Sequence, residues 1–287
     1  MHNTRRNLLQ LASLTPFLTM AACIQRVESD INRFGKTSQE AKKIAKIAHQ
    51  NLAETPNLQM FGSEEIAMLV YPKMTMLDMV GPQFFFNAMM GAKVHLVTKD
   101  PSLAPIMGDT GFAILPTISM DDCPDDLDVL FVGGGTAGTV EFMSDQASID
   151  FVADRGSRAK HVTSVCTGSM ILGQAGLLDG KKATSHWSIR HLLSEFGATP
   201  LNARVVQDGN VTTGAGVSAG LDFALTLLEQ IRGTAYAQTV QLAAEYAPAP
   251  PIKGGTPENT PAIIREPMHE MYAEFIHATQ TLISKQH

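Results

Sequence analysis

Short, nearly unbroken apolar runs in the middle of this chain constrain its fold more than any other feature. Three of them, at residues 66–70, 94–97 and 128–132, have the length of single strands. Strands that are buried on both faces of a parallel sheet have this pattern. Helix-like sequence separates the runs. Strands alternating with helices predict an α/β sandwich around a mostly parallel sheet.

A fourth apolar run, residues 161–165, leads directly into Cys166. Three small residues (167–169) follow, and residues 170–172 then have helical character. A strand, a sharp turn and a helix with a cysteine at the corner form a nucleophile elbow, with sulfur in place of the serine oxygen. The free N–H groups and dipole of a helix N-terminus favour a thiolate, so Cys166 is predicted to be a nucleophile. The alternative is an inert cysteine that packs as a small apolar side chain.

Asp78 also follows a predicted strand, in a predicted turn that includes Gly81 and Pro82. The carboxyl ends of parallel strands meet at one edge of a sheet, where α/β proteins bind their ligands. We therefore expect Asp78 to lie near Cys166 and to act as a general acid or base. The alternative is a turn or capping residue, which is a common role for aspartate beside Gly-Pro.

Three consecutive glycines, residues 133–135, end another predicted strand. They have neither the GxGxxG spacing nor the Gly-Lys-Ser/Thr ending of phosphate-binding loops. We expect the N–H groups of Gly134 and Gly135 to form an oxyanion hole for an intermediate on Cys166. The alternative is a tight turn that binds nothing.

His186 is a candidate base for the thiol, although its neighbour Trp187 favours a packed, hydrogen-bonded histidine. Cys123 stands among four aspartates, whose negative charge opposes thiolate formation. No cluster of histidine, cysteine and carboxylate residues has the spacing of metal ligands. We predict neither a metal nor a cofactor.

Charge and composition narrow the partners of this chain. Its net charge of −6 argues against nucleic acid, which needs a basic surface. Three cysteines (Cys23, Cys123 and Cys166) are too few for a disulfide framework. Apolar residues make up 44% of the chain and charged residues 17%, as in globular proteins with a sizeable core. A small-molecule substrate is the expected partner.

Residues 1–23 are predicted to be an export signal. Arg5 and Arg6 form a twin-arginine pattern, an uncharged apolar stretch covers residues 8–22, and Cys23 follows two alanines. This ending resembles a lipobox, which predicts attachment to a membrane through a lipidated Cys23. The alternatives are cleavage after an alanine, which leaves a soluble periplasmic protein, and an uncleaved N-terminal helix in a cytoplasmic protein.

Three further segments follow the predicted signal. Residues 24–63 are a polar spacer with one amphipathic helix, residues 64–250 form the folded body, and residues 251–287 are a C-terminal extension. Apolar side chains in residues 268–283 recur with a period of 3.6, which predicts a helix buried against the body or a partner subunit. Within the body we expect a helix over residues 144–158 and another from Trp187 to Leu193.

Five short motifs together resemble the DJ-1/PfpI superfamily of class I glutamine amidotransferase-like proteins, and most of all its isonitrile hydratase branch. They are residues 77–82, 131–135, 164–169, 184–187 and 213–220. The resemblance covers about residues 64–260. It implies a flavodoxin-like sandwich that forms a homodimer.

The resemblance also implies a function and a set of site residues. In isonitrile hydratases the residue matching Cys166 attacks the terminal carbon of R–N≡C to give a thioimidate. The residue matching Asp78 handles protons, water releases an N-substituted formamide, and the residue matching Thr167 helps to set up the site. Gly216 and Val217, in the last motif, are expected to join Gly134 and Gly135 in binding the substrate.

Two departures separate this chain from other branches. Thr167 stands where the protease-like and amidotransferase branches have histidine, and Asp78 stands where the DJ-1 branch has glutamate. Two other hypotheses stay open. One is a non-enzymatic, cysteine-based sensor of stress or ligands at the cell envelope. The other is a glyoxalase-like or deglycase-like activity on reactive carbonyls.

Overall fold

A computed structural model describes residues 37–284 of the chain. The chain divides into two units, Met1–Leu58 and Gln59–His287. The described part of the first unit contains helix α1 (Ser38–Ala53), which begins with a capping box between Thr37 and Glu40. The predicted signal, with Cys23, lies outside the described residues, as does the spacer up to residue 36.

The second unit contains a seven-stranded sheet, counted within residues 59–284. The strands of this unit are β1 (Glu65–Leu69), β2 (Lys93–Thr98), β3 (Ile106–Met107), β4 (Ala113–Ile114), β5 (Ile118–Ser119), β6 (Val129–Val132), β7 (His161–Val165), β8 (Lys182–Ala183), β9 (Thr199–Pro200), β10 (Val205–Asp208) and β11 (Val211–Gly214). In the sheet they stand in the order β10-β11-β7-β6-β1-β2-β5, and every neighbouring pair is parallel except β10 and β11. The two-stranded pairs β3–β4 and β8–β9 lie outside this sheet.

Helices flank the sheet, which confirms the predicted α/β sandwich. They are α2 (Met76–Asn87), α3 (Ala137–Met143), α4 (Gln146–Arg158), α5 (Gly168–Gln174), α6 (Ala219–Arg232), α7 (Thr234–Ala243), α8 (Ala262–Glu270) and α9 (Ala273–Ile283). Two 3₁₀ helices, Arg190–Phe196 and Pro257–Asn259, complete the described elements. None of the helices in residues 37–284 is both long and apolar enough to cross a membrane.

Three phenylalanine rings pack α2 and α6 against the sheet. Phe86 of α2 and Phe223 of α6 lie 6.3 Å apart between ring centroids, and Phe131 of β6 lies 6.1 and 5.7 Å from them. All three side chains are fully buried, and each buried aromatic side chain stabilises the fold by roughly 1.5–3 kcal/mol. This cluster fixes α2, whose first turn carries Asp78, and α6, which begins two residues after Val217.

The predicted turn around Asp78, Gly81 and Pro82 is wrong, because all three residues lie inside α2. Proline inside a helix removes the hydrogen bond to the carbonyl four residues earlier, here that of Asp78, and its ring crowds that carbonyl. Gly81 and Pro82 are buried against α6, where a β-carbon added to Gly220 would lie 3.3 Å from the Pro82 ring. Tertiary packing therefore outweighs the local turn signal.

The helix predicted over residues 144–158 is α4, which begins at Gln146, and the structure adds the separate short helix α3 before it. Two other predicted helices differ from the structure. The helix predicted from Trp187 is a 3₁₀ helix that begins at Arg190. The last predicted helix is interrupted between α8 and α9. On α9 Phe275, Thr279 and Ile283 are buried as expected, whereas Met268 and Met271 before it are exposed.

Candidate active site

Cys166 occupies a sharp corner between β7 and α5. Its φ of 59° lies in the left-handed region, which costs a non-glycine residue strain energy. Its N–H donates to the carbonyls of Gly214 (3.1 Å) and Ala215 (2.9 Å). Its own carbonyl accepts hydrogen bonds from the hydroxyls of Ser169 (3.1 Å) and Ser185 (2.9 Å). These four bonds hold the elbow in place.

The sulfur of Cys166 faces three protein groups. The thiol donates to the carboxylate of Asp78, and the backbone N–H groups of Thr167 and Val217 donate to the sulfur. Cys166 is 5% exposed and Asp78 is completely buried. The fold therefore brings Cys166, Asp78, Thr167 and Val217 together.

The resting sulfur is a thiol. Burial raises the pKa of Cys166 well above its usual value, and the negative charge of Asp78 raises it further. The N–H groups of Thr167 and Val217 act in the opposite direction but are outweighed. The N–H group of Thr167, just before α5, thus lowers the pKa as expected from the start of a helix, but the loss of solvation on burial is larger.

Asp78 can exchange a proton near neutral pH. Burial raises its pKa to about 7, and the negative charge of Asp109 adds to this. A hydrogen bond from the N–H of Gly134 to Oδ2 (2.9 Å) and one from the Cys166 thiol oppose the shift. Oδ1 is buried without a hydrogen-bond partner. A carboxyl group with a pKa near the working pH is suited to general acid and base catalysis.

The glycine segment, residues 133–135, positions the side chains of Asp78 and Thr167, and two of its N–H groups already donate hydrogen bonds to them. The N–H of Gly134 donates to Asp78, and that of Gly135 donates to the hydroxyl of Thr167 (2.8 Å). The predicted oxyanion hole at these two glycines is therefore wrong for this structure. A β-carbon on Gly134 would lie 2.6 Å from the backbone nitrogen of Thr167, which explains the glycine.

Three buried hydroxyl groups hold the glycine segment. Thr167 Oγ1 donates to the carbonyl of Gly135 (2.6 Å), and Thr139 Oγ1 lies 2.9 Å from Thr167 Oγ1 and donates to the same carbonyl (2.7 Å). Tyr71 donates to the carbonyl of Gly133 (2.7 Å). Sequence reasoning missed Tyr71 and Thr139. Tyr71 closely follows the end of β1, which is a usable signal, whereas Thr139 lies within α3 and has none.

His186 is hydrogen-bonded and packed within its own loop. Its Nδ1 lies 2.8 Å from the hydroxyl of Ser188, and its ring packs 5.8 Å from that of Trp187. Burial lowers its pKa to about 4, so the ring is neutral at pH 7. His186 also covers Gly216, where a β-carbon would lie 2.7 Å from Cδ2. The arrangement favours the packed histidine over a base for Cys166.

Tyr272, between α8 and α9, approaches the same edge of the sheet. Its ring centroid lies 5.0 Å from that of His186. The pKa of Tyr272 is raised by burial and then by the negative charges of Cys166 and Asp78. The sequence marked Tyr272 only as a member of an apolar helical stripe.

The other described groups offer no second reactive centre. Cys123 is buried, and burial raises the pKa of its thiol. Among residues 37–284, no group of three or more histidine, cysteine, aspartate and glutamate residues is arranged to hold a metal ion.

A sequence model of the DJ-1/PfpI family matches residues 64–230. The chain belongs to the DJ-1/PfpI family. The match contains Asp78, the glycine segment, Cys166 and Val217, and it ends before α8 and α9.

Relatives with known names or structures agree with this assignment. The isonitrile hydratase of Pseudomonas putida is 46% identical over 200 residues, which cover 70% of this chain and 86% of that protein. The crystal structure of a THiJ/PfpI family protein from Pseudomonas syringae superposes with a TM-score of 0.77 and 50% identity. That superposition covers 80% of this chain and 96% of the other. The deglycase PfpI of Pyrococcus furiosus is 31% identical over 121 residues, which cover 42% of this chain and 71% of that protein.

Proposed function

We propose that this DJ-1/PfpI protein is an isonitrile hydratase-like lyase that adds water to R–N≡C and releases R–NH–CHO. The observation that carries the proposal is the buried pair in which the Cys166 thiol donates to Asp78, whose pKa is about 7. The 46% identity to the isonitrile hydratase of Pseudomonas putida supports the same chemistry. No cofactor is needed, because the reaction adds only water.

The first half of the reaction forms a carbon–sulfur bond. The thiol proton of Cys166 passes to the carboxylate of Asp78, and the sulfur bonds to the terminal carbon of the isonitrile. Asp78 returns the proton to that carbon, which leaves a thioimidate, S–CH=N–R. The N–H groups of Thr167 and Val217 stabilise the sulfur while it is negatively charged.

The second half breaks the carbon–sulfur bond. Asp78 takes a proton from water as the water oxygen adds to the thioimidate carbon, and the nitrogen gains that proton. The carbonyl group then forms, the sulfur leaves with its electron pair, and Asp78 carries the hydroxyl proton back to it. A carboxyl group with a pKa of about 7 can serve in each of these transfers near neutral pH.

The site favours an uncharged substrate. Cys166 and Asp78 are buried, and His186 is neutral, so no fixed positive charge lies among these groups to bind an anion. An isonitrile is neutral and linear at its reactive end, and its terminal carbon accepts a soft sulfur nucleophile.

The test uses the purified protein with cyclohexyl or p-nitrophenyl isonitrile and follows formamide formation. We expect turnover by the wild type and by Cys123→Ala, and a loss of at least about 1,000-fold in Cys166→Ala. Cys123→Ala is the matched control because it removes the other described cysteine. No product from the wild type, or equal product from Cys166→Ala, contradicts the proposal.

A second candidate is a deglycase-like or glyoxalase-like activity, favoured by the deglycase relative from Pyrococcus furiosus. The same thiol and carboxyl pair can add to an aldehyde carbon. Turnover of methylglyoxal without turnover of isonitriles supports it. Oxidation of Cys166 to sulfinate by mild peroxide, with neither turnover, supports the sensor hypothesis instead.

Export and lipidation of Cys23 are separate proposals that rest on the sequence of residues 1–23. Mass spectrometry of the mature N-terminus tests them. A lipid-modified N-terminal Cys23 supports a membrane anchor, and an unmodified N-terminus after residue 21 or 22 supports a soluble exported protein. An intact Met1 contradicts both.

A further inference from the structure

Tyr272 reaches the site from a segment that follows the region matched to the family. It caps the start of α9, immediately after α8, and its side chain is half-buried. It follows Cys166 by 106 positions in the chain. No step of the proposed mechanism uses it.

Contacts on both sides of Tyr272 hold it in place. Before it, His269 Nε2 lies 3.1 Å from the carbonyl of Ser188, and the ring of His269 packs 5.8 Å from that of Trp187. After it, Phe275 is buried and lines a cavity with Ala137 at the start of α3. The segment is therefore attached to the loop that carries His186 and to the helix that follows the glycine segment.

The ring of Tyr272 is connected through His186 to the backbone whose N–H donates to the sulfur. It packs on His186 at 5.0 Å with an interplanar angle of 38°. His186 in turn lies against Gly216, and the N–H of the next residue, Val217, donates to Cys166. Tyr272 is close enough to Cys166 and Asp78 for their charges, when present, to raise the pKa of its hydroxyl after burial has done so.

We propose that Tyr272 closes the nucleophile site and sets the size of the substituent R that can reach Cys166. Cys166 is only 5% exposed and Asp78 is not exposed at all, so a substrate has to pass the side chains that surround them. Tyr272 is a half-buried aromatic ring that packs on His186, and it belongs to an extension rather than to the sheet. With the neutral ring of His186 it presents an uncharged wall, which suits alkyl and aryl substituents.

The substrate test rests on the proposed function. It compares n-butyl isonitrile with the bulkier 1-adamantyl isonitrile in the wild type, Tyr272→Ala and Tyr272→Phe. We expect Tyr272→Ala to raise the ratio of kcat/KM for the bulky over the slim substrate by about tenfold, because it opens space for R. Tyr272→Phe keeps the ring and should keep the wild-type ratio.

A second measurement does not depend on isonitrile turnover. Alkylation of Cys166 by iodoacetamide and by the bulkier N-phenylmaleimide is followed by mass spectrometry of the peptide that contains it. We expect Tyr272→Ala to accelerate both reactions, and the maleimide reaction more. Met271→Ala is the matched control, since Met271 is the adjacent residue and is 75% exposed; it should match the wild type.

The two measurements separate the two proposals. If no variant turns over isonitriles but Tyr272→Ala still exposes Cys166 to the bulky reagent, the proposed function fails and the closing role of Tyr272 stands. If Tyr272→Ala changes neither alkylation rates nor the substrate ratio, the closing role is wrong. Equal acceleration by Met271→Ala also overturns it, because any loosening of the extension would then suffice. Thermal unfolding of each variant identifies loss of the fold.

Discussion

Asp78 is a carboxyl group that the fold removes entirely from water. Its Oδ2 accepts one backbone hydrogen bond, from Gly134, and its Oδ1 accepts none. Ionisation therefore costs free energy that a solvated carboxyl group does not lose, and the pKa rises to about 7. The burial that allows Asp78 to exchange a proton near neutral pH also means that its charged form destabilises the fold.

Asp78→Asn should remove this destabilisation and so change the pH dependence of stability. The pKa is about 7 in the folded protein and 3.8 for an ordinary aspartate, so the wild type loses stability as the pH rises from about 4 to 7. The whole effect is at most about 4 kcal/mol, at roughly 1.4 kcal/mol per pH unit. The uncharged amide removes it, and thermal unfolding at pH 5 and pH 8 measures the result.

We expect the Tm of Asp78→Asn minus that of the wild type to be larger at pH 8 than at pH 5. A difference in Tm that is the same at both pH values contradicts a raised pKa at Asp78. Asp126→Asn, on the exposed surface, is a control in which no such trend is expected.

The glycine segment shows how one short element organises the site. Its backbone N–H groups donate to the carboxyl of Asp78 and the hydroxyl of Thr167. Its carbonyls accept hydrogen bonds from Tyr71, just after β1, and from Thr139 of α3. A displacement of this segment would change the hydrogen bond that orients the carboxyl toward Cys166. The hydroxyl of Thr139 is a positioning group in this sense.

Thr139→Val replaces that hydroxyl by a methyl group of similar size. The variant loses the hydrogen bond to the Gly135 carbonyl and the contact with the Thr167 hydroxyl. We expect its free energy of unfolding to fall by about 1–3 kcal/mol and its kcat for the isonitrile to fall as well. Thr139→Ser keeps the hydroxyl and should restore both stability and kcat. The measurement is the pH dependence of Cys166 alkylation, together with kcat and KM for each variant.

A purely structural role for Thr139 would lower stability without moving the pH at which Cys166 becomes reactive. We expect that pH to shift in Thr139→Val and to return in Thr139→Ser. If the valine and serine variants have the same pH profile as the wild type, the hydroxyl does not position the site.

At the scale of the whole molecule, α2 leaves one apolar face uncovered. Leu77, Val80 and Phe84 follow helical spacing and are 53%, 38% and 48% exposed. Contiguous apolar surface on a soluble body marks an interaction site, and self-complementary pairing of this kind is most often two-fold. We expect this stripe to be the homodimer surface that the family resemblance implies.

The doubly substituted variant Leu77→Glu with Phe84→Glu should convert a dimer into a monomer, because each subunit would bring two negative charges to the interface and these would repel those of its partner. Light scattering coupled to size-exclusion chromatography measures the mass. Ile263→Glu changes a residue that is 84% exposed elsewhere and should leave the dimer intact. A wild type that is monomeric at micromolar concentration contradicts the prediction.

Local patterns in the sequence determined the sheet and its nucleophile corner. Apolar runs of strand length depend only on which side chains are next to one another, so β1, β2, β6 and β7 were predictable. The small residues after Cys166 likewise predicted the turn. Parallel strands bring their carboxyl ends to one edge, which predicts that Asp78 lies near the sulfur even though Asp78 stands in a helix and not in a turn.

Only the tertiary structure decided how the site is charged and closed. Burial, which no local pattern records, keeps Cys166 a thiol and raises the pKa of Asp78. Helix packing placed Asp78 in α2 despite Pro82, and the hydroxyl of Thr139 and the ring of Tyr272 arrive from distant parts of the chain. Solvation and contacts between residues far apart in sequence arise only when the chain is folded, because both depend on which distant surfaces exclude water together.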